Sequence, residues 1–118
     1  MTCHLLALCF DANDPLRLAH FWAGGLGWEM ADDPPDGIAL LPSDDIVFRI
    51  EFFPTQEQKA GQNQVHFDLT STSLEDQQQT VARALGLGAR HIDIGQGEVN
   101  WVVMADPDGN EFCVLTPR

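Results

Sequence analysis

The feature that most constrains this chain is that its second half restates its first. His4-Leu-Leu-Ala-Leu-Cys-Phe-Asp leads into Asp14-Pro15 and a helical stretch closed by Gly25-Leu26-Gly27. His66-Phe-Asp-Leu-Thr leads into Thr72-Ser73-Leu74 and a helical stretch closed by Gly86-Leu87-Gly88. The interval from histidine to glycine is 21 residues in the first half and 20 in the second. Short apolar runs separated by turn residues follow each Gly-Leu-Gly, so the pattern predicts strand, helix and three strands, twice. The polar stretch 55–63 reads as a linker between a module at about 1–54 and another at about 64–118. Neither half is long enough to bury a sizeable core alone, so a single domain with a shared core is expected, of α+β class.

Local signals place the elements. The near-continuous apolar run Cys3 to Phe10 reads as a buried strand. Asn13 or Asp14 can cap the helix that follows, with Pro15 at its first position, where a missing N–H costs nothing. Leu18, Ala19 and Trp22 then share one helical face, and the glycines at 24, 25 and 27 stop it. In the second half, Thr72 and Glu75 have capping-box spacing, and Leu74, Val81 and Leu85 form a helical stripe. Further strands are expected at 27–30, 37–41, 46–53, 64–70, 89–94, 99–104 and 110–116. Asp106-Pro107-Asp108-Gly109-Asn110 is a turn by composition.

Alternation along the strands selects the chemistry, because successive side chains point to opposite faces. In 46–53, Ile46, Phe48, Ile50 and Phe52 share one face, and Val47, Arg49, Glu51 and Phe53 the other. In 64–70, Val65, Phe67 and Leu69 oppose His66, Asp68 and Thr70. Phe112 and Val114 oppose Glu111 and Cys113, and Leu5, Ala7 and Cys9 oppose His4, Leu6 and Leu8. With the apolar faces buried against the helices, the opposite faces would hold His4, Glu51, His66 and Glu111. The two His-to-Glu intervals are 47 and 45 residues. Two imidazoles and two carboxylates meeting at one point would suit a divalent ion such as Zn²⁺, Ni²⁺, Fe²⁺ or Mn²⁺, with positions left for water or substrate.

Charge narrows the partners. Eighteen Asp and Glu face six Lys and Arg, for a formal net charge of −12. A nucleic-acid backbone or an anionic membrane surface would be repelled, so neither is an expected partner. The six acids between Glu29 and Asp45 read as a solvated run. Cys3, Cys9 and Cys113 show no CxxC spacing and read as reduced, small apolar core residues of a cytosolic protein. No stretch has the length of a membrane span, and the run from Leu5 to Phe10 lacks the basic start of a secretory signal. A cytoplasmic location is expected.

His4 to Asp11, Phe21-Trp22 with Gly25-Leu26-Gly27-Trp28, and Asp106-Pro107-Asp108-Gly109-Asn110-Glu111-Phe112 together resemble the glyoxalase/bleomycin-resistance/extradiol-dioxygenase (vicinal oxygen chelate) superfamily. The segments 63–69 and 106–113 are especially similar to small bacterial glyoxalase-like domain proteins. The resemblance covers essentially the whole chain. It implies two βαβββ modules with cup-shaped mixed sheets, usually completed by a homodimer. It also implies metal ligands on the first and last strand of each module, here His4, Glu51, His66 and Glu111.

Two functions follow as expectations. The first is a divalent-metal-dependent lyase or isomerase acting on a small oxygen-bearing molecule. The ion would stabilise a developing enolate, and Glu51 or Glu111 would leave it to shuttle the proton. The alternative is a metal-free protein that sequesters a drug or metabolite in an aromatic crevice, with Trp28, Phe53 and Trp101 as walls. Arg49 and Asp68 share the polar face and are candidates for substrate contact or ligand support, or for a mutual salt bridge.

Overall fold

The computed structural model describes residues 2–33, 36–42, 46, 48–70 and 72–117. Val47, Asp44 and Asp45, which the sequence places on a strand face and in the acidic run, lie outside the described residues. The chain divides into two compact units, Met1–Gln58 and Lys59–Arg118. Each holds one helix and one four-stranded mixed sheet.

The first unit runs β1 (Ala7–Ala12), α1 (Pro15–Leu26), β2 (Glu29–Asp33), β3 (Gly37–Leu41) and β4 (Arg49–Pro54). Its sheet order is β1-β4-β3-β2, with β1 parallel to β4 and the other neighbours antiparallel. Asp14 is the N-cap, accepting from the Arg17 N–H at 3.1 Å, with Pro15 opening the helix. Asn13 instead ties down the end of the unit, donating to the carbonyls of Thr55 and Glu57. Gly27 closes the helix in the left-handed region at φ 73° and donates to the Ala23 carbonyl. Leu18, Ala19, Phe21 and Trp22 are buried, as are Leu40, Ile50 and Phe52 of the sheet. The Phe10 and Phe52 rings meet with centroids 5.3 Å apart.

The second unit runs β5 (Phe67–Leu69), α2 (Leu74–Gly86), β6 (Arg90–His91), β7 (Val102–Ala105) and β8 (Glu111–Val114). Its order, β5-β8-β7-β6 with β5 parallel to β8, is that of the first sheet. The repeat in the sequence is therefore a repeat of topology.

Several details differ from expectation. The first strand begins at Ala7, not Cys3, where its ladder with β4 opens at the Ala7–Arg49 pair. Cys3 and Cys9 are exposed, and of the three free thiols only Cys113 is buried. Ser73, not Thr72, caps α2 by accepting from the Asp76 N–H at 3.0 Å, while the Thr72 hydroxyl bonds to the Asp76 carboxylate. Leu74 and Leu85 are exposed, and Gln77 and Ala84 are buried in their place. Gln77 tolerates burial because its amide donates to the Val114 and Asn100 carbonyls at 3.1 and 3.3 Å. The strand expected at 89–94 shrinks to two residues, Arg90–His91, paired with Ala105 and Met104.

Candidate functional site

Glu111 opens β8, and the turn before it sets its position. Asp106 is fully buried. Its Oδ1 accepts from the N–H groups of Asp108 and Asn110 at 3.0 and 2.9 Å, and its Oδ2 from the Asn110 amide at 3.1 Å. Gly109, at φ 88°, completes the reversal. Asn63 then clamps the residue: its Oδ1 accepts from the Glu111 N–H at 2.9 Å, and its own N–H donates to Glu111 Oε2 at 3.3 Å. Lys59 Nζ lies 3.0 Å from Oε2 and 3.3 Å from Oε1. Burial alone would push this carboxyl group up. The hydrogen bond from Lys59, the backbone N–H groups of Glu111 and Asn63, and the Lys59 charge outweigh it and hold the group below the ordinary carboxylate value. Glu111 is thus ionised at neutral pH.

Beside it on the same face are His66, Asp68 and Cys113. Asp68 pairs with Cys113 across β5 and β8, and His66 stands two residues before Asp68, just ahead of β5. His66 Nε2 lies 3.1 Å from Asp68 Oδ1, with both side chains half exposed. Burial, then the charge and hydrogen bond of Asp68, push the Cys113 thiol above its ordinary value. One nitrogen, one oxygen and one sulfur from these three residues all lie within 4.8 Å of one another.

The first unit carries Glu51 in the middle of β4, only 8% exposed. Arg49 Nη2 lies 3.0 Å from its Oε2, and the Cys9 thiol donates to its Oε1 at 3.4 Å. Arg49 Nε is buried and makes no hydrogen bond among the described residues. Ala39 on β3 and Cys9 on β1 flank Glu51 directly. Phe53 covers Gly37, where a Cβ would come within 2.6 Å of its ring.

The parity expected for the first strand is therefore corrected. Residues 5–10 are apolar on both faces, so alternation there carried no signal, and the ladder sets Ala7, Cys9 and Asp11 beside Arg49, Glu51 and Phe53. His4 lies exposed, three residues ahead of β1. Within its own unit Arg49 pairs with Glu51, and within the other Asp68 pairs with His66. Trp101 is 36% exposed just before β7, on a shallow cleft of about 500 Å³ with Glu98, Val99 and Asn100. Trp28 meets Phe48 edge-on. Sequence reasoning missed Lys59, Asn63, Asp106 and Cys9. Lys59 carried one usable signal, as the only lysine of a strongly acidic chain.

The residues present fit a cation. Among the described residues the donor atoms close enough to share an ion are those of His66, Asp68 and Cys113, while both Glu111 oxygens are already met by the Lys59 ammonium. No helix among the described residues is long and apolar enough to cross a membrane.

Comparison with known proteins agrees with this architecture. The chain is similar over 98% of its length, and 100% of the other's, to a glyoxalase/bleomycin resistance protein/dioxygenase family enzyme from Burkholderia phytofirmans, at 16% identity and a TM-score of 0.78. It is similar to the fosfomycin resistance protein FosX from Mesorhizobium loti at 17% identity and a TM-score of 0.73, covering 100% of this chain and 95% of that one. A mutant of FosX from Listeria monocytogenes, complexed with Mn(II) and a dihydroxypropylphosphonic acid, matches at 16% identity and a TM-score of 0.73, covering 100% and 93%. No curated protein matches the chain. The family model of the glyoxalase-like domain matches residues 7–115, and the protein belongs to that family.

Proposed function

We propose that this protein is a divalent-metal-dependent lyase or isomerase acting on a small molecule with adjacent oxygen atoms. The observation that carries this reading is the repeated carboxylate. Glu51 and Glu111 each lie on the last strand of a sheet, three ladder steps before its final pair with the first strand. Candidate ligands are His66 and Glu111 in the second unit and, taken by itself, Glu51 in the first. When bound, the ion supplies Lewis-acid stabilisation of negative charge on a substrate oxygen.

The rest falls to the chain. Glu111, ionised and released from Lys59, accepts a proton from the carbon next to the substrate carbonyl, with Glu51 as the equivalent base of the first unit. Asp68 orients the His66 ring. The unpartnered Arg49 Nε would donate to a substrate oxygen, and Phe53 and Trp101 would contact the substrate's apolar part. The reading includes one domain, a homodimer, a cytoplasmic location, and no nucleic-acid or membrane partner.

Protein purified without chelator should hold close to one divalent ion per chain by elemental analysis, and His66→Ala should lose it. It should also catalyse metal-dependent exchange of the carbon-bound proton of an α-hydroxyketone or α-ketoaldehyde adduct in deuterated water. A metal-free, folded protein would overturn the reading. One observation favours a second: both carboxylates are already compensated by Arg49 and Lys59, as a metal-free ligand-sequestering protein of this superfamily would require.

A further inference from the structure

We propose that in the second unit the metal is held by a mixed nitrogen, oxygen and sulfur set, His66, Asp68 and Cys113, while Glu111, paired with Lys59, stays outside the coordination. The proposal rests on the reading above that the chain holds a divalent ion, and in the second unit it replaces Glu111 as a ligand by Asp68 and Cys113. Three observations support it. The ladder sets Asp68 directly opposite Cys113, and His66 precedes Asp68 by two residues on the same face. The three donor atoms already lie within 4.8 Å of one another, and donor atoms around a tetrahedral zinc stand roughly 3 to 4 Å apart. Cys113 is buried whereas His66 and Asp68 are half exposed, so the sulfur forms the floor and the outer ligands can rotate to close on an ion.

Donor identity also matters. Glu111 has both oxygens engaged by Lys59 and one by Asn63, whereas the triad's partners lie within the triad itself. A thiolate with an imidazole and a carboxylate suits Zn²⁺ or Co²⁺ better than Mn²⁺ or Mg²⁺. Three protein ligands leave a fourth position for water or a substrate oxygen, the arrangement of catalytic rather than structural zinc. This would make the ion preference of this chain depend on Cys113.

Cobalt is the probe. In a Cys3→Ser, Cys9→Ser background, Co²⁺ should give a near-ultraviolet thiolate-to-cobalt charge-transfer band and a tetrahedral visible spectrum. Cys113→Ser and Cys113→Ala should abolish the charge-transfer band. With Asp68→Asn, they should weaken Zn²⁺ binding, measured by chelator competition, about tenfold or more. Glu111→Gln should keep both the band and the affinity. Circular dichroism confirms that each variant is folded. Cobalt bound without the charge-transfer band, or zinc affinity lost in Glu111→Gln and kept in both Cys113 variants, would overturn the triad and leave the broader metal reading standing. A chain that binds neither cobalt nor zinc would overturn both.

Discussion

Glu51 and Glu111 stand at the same step of two sheets with the same strand order, but their neighbours are not the same. Asp11 pairs with Phe53 in the first unit where Asp68 pairs with Cys113 in the second. Beside Glu51 the first strand brings Cys9, whereas Glu111 lies one residue ahead of the first β5–β8 pair, Phe67 with Phe112. The compensating cation also has a different source: Arg49 lies on the same strand as Glu51, two residues away, whereas Lys59 reaches Glu111 from the segment preceding β5. Aligning the halves on their histidines equates His4 with His66, but the ladders equate Cys9 with His66. A shift of five residues leaves the fold intact, since strand order and pairing sense are unchanged. It reverses which first-strand side chains share the carboxylate's face, because five is odd and strand side chains alternate.

The comparison can be broken most directly in the core. Phe52 and Phe112 directly follow the two glutamates, are almost fully buried, and are ladder equivalents. Phe52→Ala and Phe112→Ala should each cost about 3 to 5 kcal/mol in urea denaturation. A much smaller cost at Phe112 would show that the second sheet does not share the packing of the first.

A smaller effect separates the cations. Lys59→Met should cost about 1 to 2 kcal/mol at neutral pH, because a nearly buried carboxylate loses a charged hydrogen-bond donor. Glu111 titrates below the ordinary carboxylate value, so its contribution to stability is present above the unfolded-state pKa. That contribution is lost as pH falls through the lower folded value. Unfolding measured from neutral to acid pH should therefore show a shallower acid decline in Lys59→Met than in the parent. An identical decline would remove Lys59 from the account of Glu111.

The smallest expected effect lies at the caps. Asp14→Ala and Ser73→Ala should each cost about 1 kcal/mol, measured by thermal unfolding, since each removes one side-chain acceptor from a helix start. A cost at Ser73 close to zero, with Thr72→Ala costing more, would restore Thr72 as the cap.

Much of the fold was legible because its signals are local. Asp14-Pro15 and Gly27 bound α1 where expected, the strand 37–41 is matched residue for residue, and the turn 106–110 forms by the side-chain bonding its composition implies. The faces of β4 and β8 were also legible, because apolar and polar residues alternate there. β1 defeated the same reasoning, since a strand that is apolar on both faces does not say which face is which. Asn63 carried no signal as a site residue and Lys59 only its rarity, because both reach Glu111 across about fifty positions of chain from a segment that looked like a linker.

By itself the order of residues determined two helix-and-strand modules of like topology, the caps and turns that punctuate them, and an acid at the same step of each closing strand. These follow from periodicity and from the backbone preferences of Pro, Gly, Asp and Asn, which act over a few residues. Only the tertiary structure decided that Cys9 rather than His4 stands beside Glu51, that Lys59 neutralises Glu111, and that His66, Asp68 and Cys113 converge. Strand register and the reach of a side chain depend on which hydrogen-bond ladder closes and what burial each offset permits, and residues far apart in the chain settle that together.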